Sequence, residues 1–211
     1  MRIFPILTAL ALIVTPAAAQ PRQAVSLAEV QRAFAATSTM TADFTQTAGD
    51  GGVASGKMLL KRPGKVRFDY AGKTPYLVVA DGRTLSFVDY QVSQVSQWPI
   101  RSTALGVLLD PHADLASVAR VLPEDQSPVP GMVAVHAEDR AKPEAGSILF
   151  FLARDAAAPG GLRLSGWRVT DAQGNLTNVT LSNPRFNADI ADSRFRFQDP
   201  RQRGRVPGRP G

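Results

Sequence analysis

Apolar and polar residues alternate along most of this chain. Met40, Ala42, Phe44 and Gln46 are separated by threonines and Asp43, the two-residue period of a half-buried strand, and Asp50-Gly51-Gly52 then marks a turn. Met58 and Leu60 share one face of a following strand. After a Pro63-Gly64 turn, Val66, Phe68 and Tyr70 alternate with Lys65, Arg67 and Asp69, so two antiparallel strands present a common apolar face. The run Tyr76 to Ala80 meets Thr84 to Val88 through Asp81-Gly82, a hairpin signal, with Leu85 and Phe87 pointing one way. Further strands are expected at Met132 to Ala137, Ile148 to Leu152, Leu162 to Thr170, Leu176 to Ser182 and Arg194 to Phe197, around ten in all.

Helical spacing is confined to a few places. Leu27, Val30 and Phe34 lie on one face, preceded by Ser26-Leu27-Ala28-Glu29, whose spacing is that of a capping box; this predicts a helix over about 26–37. Thr103 to Leu109 reads as a short helix. Leu115, Val118 and Leu122 suit either a second helix or another strand. The expected architecture is one large antiparallel sheet, strongly curved or partly closed, with a few helices against its apolar concave side. Trp98 and Trp167 are expected to anchor the fold at strand ends.

The amino terminus changes where this protein is expected to work. Arg2, the apolar run Ile3 to Val14 and Thr15-Pro16-Ala17-Ala18-Ala19 are the three parts of a secretory signal, with cleavage after Ala19. The apolar run is too short for a stable membrane span. With no cysteine, the chain has no lipid-attachment site and no disulfide. The expected layout is a cleaved signal over 1–19, one domain over 20–198, and a basic Pro/Gly-rich disordered tail over 199–211. The formal charge of +6 is mostly terminal. Removing Arg2 leaves 23 basic against 18 acidic residues, and Arg201, Arg203, Arg205 and Arg209 lie in the tail, so the body carries about +1. Export and a near-neutral body argue against nucleic acid as a partner.

Catalytic chemistry finds little support. His112 and His136 are the only histidines; His112 follows Pro111 in an expected loop, and His136 lies in a strand with no acidic or serine motif beside it. No nucleophile elbow, phosphate loop or dinucleotide fingerprint is present. Asp69, Asp81 and Asp89 lie near strand ends, where turns and edges account for them. The residues by themselves therefore read as a globular β protein that is not an enzyme.

The ordered motifs Met40-x-Ala42-x-Phe44-x-Gln46, Gly56-Lys57-Met58-Leu59-Leu60-Lys61-Arg62-Pro63-Gly64-Lys65-Val66-Arg67-Phe68-Asp69-Tyr70, Asp81-Gly82-x-x-Leu85, Trp167-x-Val169-x-Asp171-x-x-Gly174-Asn175-Leu176 and Phe195-x-Phe197 resemble the LolA family of outer-membrane lipoprotein carriers over about 26–198. The resemblance implies a mainly β fold with some α: an unclosed antiparallel β-barrel, or half-barrel, with an α-helical lid over an apolar cavity. It further implies a soluble, monomeric periplasmic chaperone without a cofactor. Such a protein takes acylated lipoproteins from an inner-membrane ABC transporter and passes them to an acceptor at the outer membrane or to that membrane itself. A periplasmic lipid-binding sensor with the same half-barrel is the alternative.

On this resemblance Arg62 matches the family's arginine implicated in lid closure and ligand release. Strand parity places it on the face of Met58 and Leu60, at the cavity edge. Some carriers have a histidine partner where Ser165 stands here, and Ala104 follows Thr103 where a Thr-Pro pair is common. The expected cavity lining is Met58, Leu60, Val66, Phe68, Leu77, Val79, Leu85 and Phe87 from the sheet and Leu105, Leu108 and Leu109 from the lid, enclosing a large apolar pocket.

Overall fold

The computed structural model describes residues 24–100, 106, 109–110, 114–138 and 146–202. The proposed signal over 1–19, Leu105, Leu108 and His112, and residues 203–211 of the tail lie outside them.

Helix α1 (Leu27–Ala36) begins as its spacing predicts: the Ser26 hydroxyl accepts from the Glu29 amide at 3.3 Å, and the Glu29 carboxylate accepts from the Ser26 amide at 2.7 Å. Val30, Ala33 and Phe34 form its buried face. Its end is held from a distance. Asn187 donates to the Ala36 carbonyl at 3.1 Å and accepts from the Ser38 amide at 2.9 Å, satisfying backbone groups that a helix terminus leaves open.

Eleven strands follow: β1 (Thr39–Ala48), β2 (Val53–Lys61), β3 (Lys65–Tyr70), β4 (Tyr76–Asp81), β5 (Thr84–Asp89), β6 (Gln94–Pro99), β7 (Ala119–Val121), β8 (Val133–Glu138), β9 (Ser147–Arg154), β10 (Leu162–Thr170) and β11 (Leu176–Phe186). They make one antiparallel sheet in the order β6-β5-β4-β3-β2-β1-β11-β10-β9-β8-β7. Every neighbour is also a neighbour in sequence except at β1–β11, where the two ends of the strand series meet. The sheet is therefore two meandering wings joined at the centre, and it stays open between β6 and β7. The chain between these two edges, residues 100–118, contains α2 (Leu115–Val118), which passes directly into β7. Helix and strand readings of this stretch thus both hold, for successive residues.

One face of the sheet is continuous with α1. Met40, Ala42 and Phe44 of β1, Met58 and Leu60 of β2, Val66 and Phe68 of β3, and Ile148, Phe150, Leu152, Leu164 and Trp167 of the other wing pack with Val30 and Phe34 as the main core. Phe68 meets Trp167 edge-on at 6.0 Å, across the two wings, while Phe34 meets Phe150 at 6.0 Å. Gly56 permits the tight curvature here. A Cβ on it would lie 2.0 Å from the Asp69 carbonyl oxygen and 2.8 Å from the Phe44 ring.

A smaller apolar cluster occupies the opposite face, where Leu59, Leu77, Val79 and Val88 are covered by Ile190 and Phe195. The covering segment is not the strand predicted over Arg194 to Phe197. It contains a 3₁₀ turn at Asp192–Phe195, and the Arg67 guanidinium donates to the Arg194 and Arg196 carbonyls at 3.2 and 3.0 Å. A side chain thus satisfies the carbonyls that a sheet neighbour would otherwise have bonded. Lys61 and Lys65 both reach Asp192, at 2.8 and 2.6 Å. Their bonds hold its carboxyl down at about 2. The fold also runs past residue 198: Pro200–Gln202 form a 3₁₀ turn with Pro200 buried. The sequence does not announce β6, because its apolar residues are too few to show a period. Among the described residues, no helix is long and apolar enough to cross a membrane.

Candidate functional site

Strand pairing decides which predicted residues share the concave face. Met58 lies opposite Phe68 and Leu60 opposite Val66; Phe68 lies opposite Val78 and Val66 opposite Ala80; Val78 lies opposite Phe87 and Ala80 opposite Leu85. Met58, Leu60, Val66 and Phe68 are buried in the main core, and Leu85 packs against it. Phe87 follows by parity and touches Tyr76, ring centroids 5.4 Å apart. Leu77 and Val79 are a correction to the predicted lining. They pair with Val88 and Ser86, fall on the other face, and are buried under Ile190 and Phe195. Both faces of β4 are covered, so its sequence Tyr-Leu-Val-Val-Ala gives no alternation from which to choose.

Leu109, the described residue of the predicted lid trio, is buried in the main core. Its carbonyl accepts from the Gly64 amide at 2.9 Å, so Leu109 is seated on the β2–β3 turn. That turn is pressed against the β4–β5 turn: a Cβ on Gly64, at φ +76°, would lie 2.8 Å from the Gly82 Cα. A cleft of about 510 Å³ opens at this rim, lined by Pro63, Gly64, Gly82, Ile100, Leu109, Asp114 and Val118 among others. Deeper in, the structure departs from the expected wide apolar pocket. Met58, Leu60 and Val66 have no exposed surface, because aromatic side chains of both wings and of α1 fill the space between them. A larger groove of about 680 Å³ lies by the β1 bulge on the outer surface, where Asp43, Lys57, Asn183 and Arg185 make it polar.

Arg62 sits at the junction of these parts. Its peptide amide donates to the Ser38 carbonyl at 2.8 Å. Its guanidinium donates to the Thr37 carbonyl and lies over the Phe34 ring, 5.3 Å from the centroid. Burial pushes it down to about 10. It therefore ties the end of α1 to the end of β2 on the apolar side. Ser165 makes its hydrogen bond elsewhere. A register shift between Leu164 and Gly166 makes Ser165 an extra residue in β10, and its buried hydroxyl donates to the Arg163 carbonyl at 3.4 Å. Phe34 and Thr37 are partners of Arg62 that local pattern does not announce; Phe34 is legible as a helix-face residue but not as the floor under a cation.

The remaining candidates have structural roles. Asp81 accepts from the Arg83 and Thr84 amides at 2.8 and 2.9 Å, and Asp89 from the Gln91 amide at 2.9 Å, as turn residues do. Asp69 accepts from Arg67 at 2.8 Å. The Nδ1 of His136 is buried without a hydrogen-bond partner. Trp167 is buried mid-strand rather than at a strand end, and Trp98 is 47 % exposed, so it does not anchor the fold. Among the described residues, no cluster of three or more His, Asp or Glu could hold a metal ion.

Geometry thus defines an unclosed β half-barrel whose apolar concave face is covered by helical segments, with a buried cation where cover and sheet meet. The family model described as outer membrane lipoprotein carrier protein LolA matches residues 35–198, and the chain belongs to that family. An outer-membrane lipoprotein carrier protein of Chromobacterium violaceum is 32% identical over 208 residues, covering 94% of this chain and 95% of its own. One from Pseudomonas syringae pv. tomato is 27% identical and covers 92% of each. A LolA superfamily protein from Nitrosomonas europaea, known as a crystal structure, is 14% identical with a TM-score of 0.42, covering 82% of this chain and 99% of its own.

Proposed function

We propose that this protein, exported by the signal over 1–19, is a monomeric periplasmic chaperone that holds the acyl chains of lipoproteins. It receives them from an inner-membrane ABC transporter and delivers them to an acceptor at the outer membrane or to that membrane, without a cofactor and without breaking a bond. The observation that carries the reading is the apolar concave face, shared by both wings of a sheet that is not closed between β6 and β7, whose cover is a separate helix rather than more sheet.

The physics supports such a role. Three acyl chains carry roughly 40 methylenes, and at about 0.8 kcal/mol each their exposure to water costs on the order of 30 kcal/mol. A carrier must cover that surface and still release it. In this fold α1 and the segment at Leu109 bury the concave face, so acyl chains enter by replacing protein cover with their own apolar surface. Exchange of one apolar contact for another keeps the net cost of opening low. Met58, Leu60, Val66, Phe68, Leu85 and Phe87, with Leu105, Leu108 and Leu109, are the lining in this reading, and Arg62 is the latch.

The test is mass spectrometry of organic extracts and co-purifying proteins from the protein isolated from its native periplasm. Acylated lipoproteins in the sample are the expected result. Phospholipid alone, or nothing apolar, would remove the carrier role.

A further inference from the structure

The two edges of the open sheet differ. β7 is three residues long and carries Arg120, whose side chain lies 3.6 Å from Glu138. β6 is six residues long, and from Gln91 to Pro99 the chain has no charged residue. Edge strands ordinarily carry charges, prolines or bulges that block pairing with another chain. β6 has Pro99 at its last position only.

Hydrogen-bond phase shows what this edge presents. Ile100 donates to the Arg83 carbonyl at 2.8 Å, and Tyr90 donates to the Pro75 carbonyl at 2.9 Å. Because bonding alternates along an antiparallel pair, Gln94, Ser96 and Trp98 bond toward β5. Val95 and Gln97 then direct both N–H and C=O away from the sheet, and among the described residues no main-chain group bonds to them, although the turn Pro200–Gln202 packs near β6. The side chains add a second feature. Trp98 lies opposite Leu85 and so belongs to the concave face; Trp98 and Tyr76 are exposed there, and Tyr76 touches Phe87. An added strand would continue the apolar concave face at the lip of the opening.

We propose that the β6 edge docks the polypeptide of the cargo, the extended segment following its acylated residue, by main-chain pairing with Val95 and Gln97. The proposal rests on the carrier reading. Chains held under the cover leave their polypeptide at the gap between β6 and β7, and β6 is the longer, uncharged lip of that gap. Pairing through backbone groups accepts segments of unrelated sequence, as a carrier of many cargoes requires.

The probes are a dipalmitoylated cysteine peptide with a short uncharged extension and the same molecule N-methylated on its extension amides, each titrated into the mature protein while amide exchange is followed by NMR. The parent peptide should bind about tenfold tighter than the methylated one, and exchange at Val95 and Gln97 should slow only with the parent. Equal affinities with unchanged exchange at both residues would overturn the edge docking and leave the carrier reading standing. Failure of both peptides to bind would overturn the two together. Slow exchange at Val95 and Gln97 in the free protein, accompanied by a dimer in light scattering, would assign the edge to a second copy and also overturn the proposal.

Discussion

Replacing Arg62 with leucine tests whether the cation at the junction of α1 and β2 holds the fold or poises it. Burial pushes the guanidinium down to about 10, a fall that corresponds to about 3 kcal/mol against the charged form. The charge-assisted bond to the Thr37 carbonyl returns about 1.5–3 kcal/mol. Its position over Phe34 returns about 0.5–2 kcal/mol. These two contacts by themselves offset the burial cost, so Arg62→Leu should lower stability by no more than about 3 kcal/mol, and leucine should fit the apolar surroundings as buried charges replaced by hydrophobes generally do. Urea unfolding followed by tryptophan fluorescence should show a loss below that bound. In a release assay with a fluorescent acylated peptide, the variant should hold its ligand longer, because the cover then closes over an interior without a desolvated charge. A loss of more than about 3 kcal/mol would make Arg62 a structural tie instead. So would release as fast as in the parent protein.

Gly56→Ala should cost about 3 kcal/mol in urea unfolding, since its Cβ has the Asp69 carbonyl oxygen 2.0 Å away and the backbone must shift to admit it. An unaltered midpoint would mean that the sheet is less tightly curved at this strand. Phe195→Ala removes the plug over Leu59, Leu77, Val79 and Val88 and should cost about 3–5 kcal/mol, with proteolysis opening first near residues 190–197. His136 is held below its ordinary value by burial and then by Arg120, while Glu138 opposes this; the unfolded chain therefore takes up its proton first. That histidine's share of stability should be present above about pH 6.5 and shrink as the pH falls through the lowered folded value. His136→Gln should flatten the pH dependence of the unfolding midpoint in that window.

The contrast between the two faces of β4 bears on function as well as folding. A concave wing that served only as core would need no cover on its back. Here Ile190 and Phe195 bury Leu77 and Val79 from outside, so the β2–β5 wing gains a core independent of α1. Arg67 and Lys61 fasten the outer segment through its carbonyls, at residues 190, 194 and 196, and leave the concave face clear of polar anchors. Arg62 brings a buried charge to the apolar side, where α1 ends.

Much of this protein is written in local pattern. Alternation at 40–46, 58–60 and 66–70 sets the strands and their faces, because a half-buried sheet needs apolar residues at every second position. Ser26 and Glu29 set the start of α1, because a helix terminus needs its open amides bonded. Where both faces of a strand are covered, as at Tyr76 to Asp81, the pattern vanishes, and only the register with β3 and β5 assigns Leu77 and Val79 to the outside. Segment 194–197 has the alternation of a strand yet lies across the sheet rather than in it, since its carbonyls are taken by an arginine about 130 residues away in sequence. The same holds at Arg62. Its residue type and strand parity are local, and the β1–β2 hairpin brings Phe34 and Thr37 to it, but Asn187 reaches the end of α1 only after the two ends of the strand series pair at β1 and β11. Long-range closure of the sheet brings Asn187 there, and no periodicity along the chain records it.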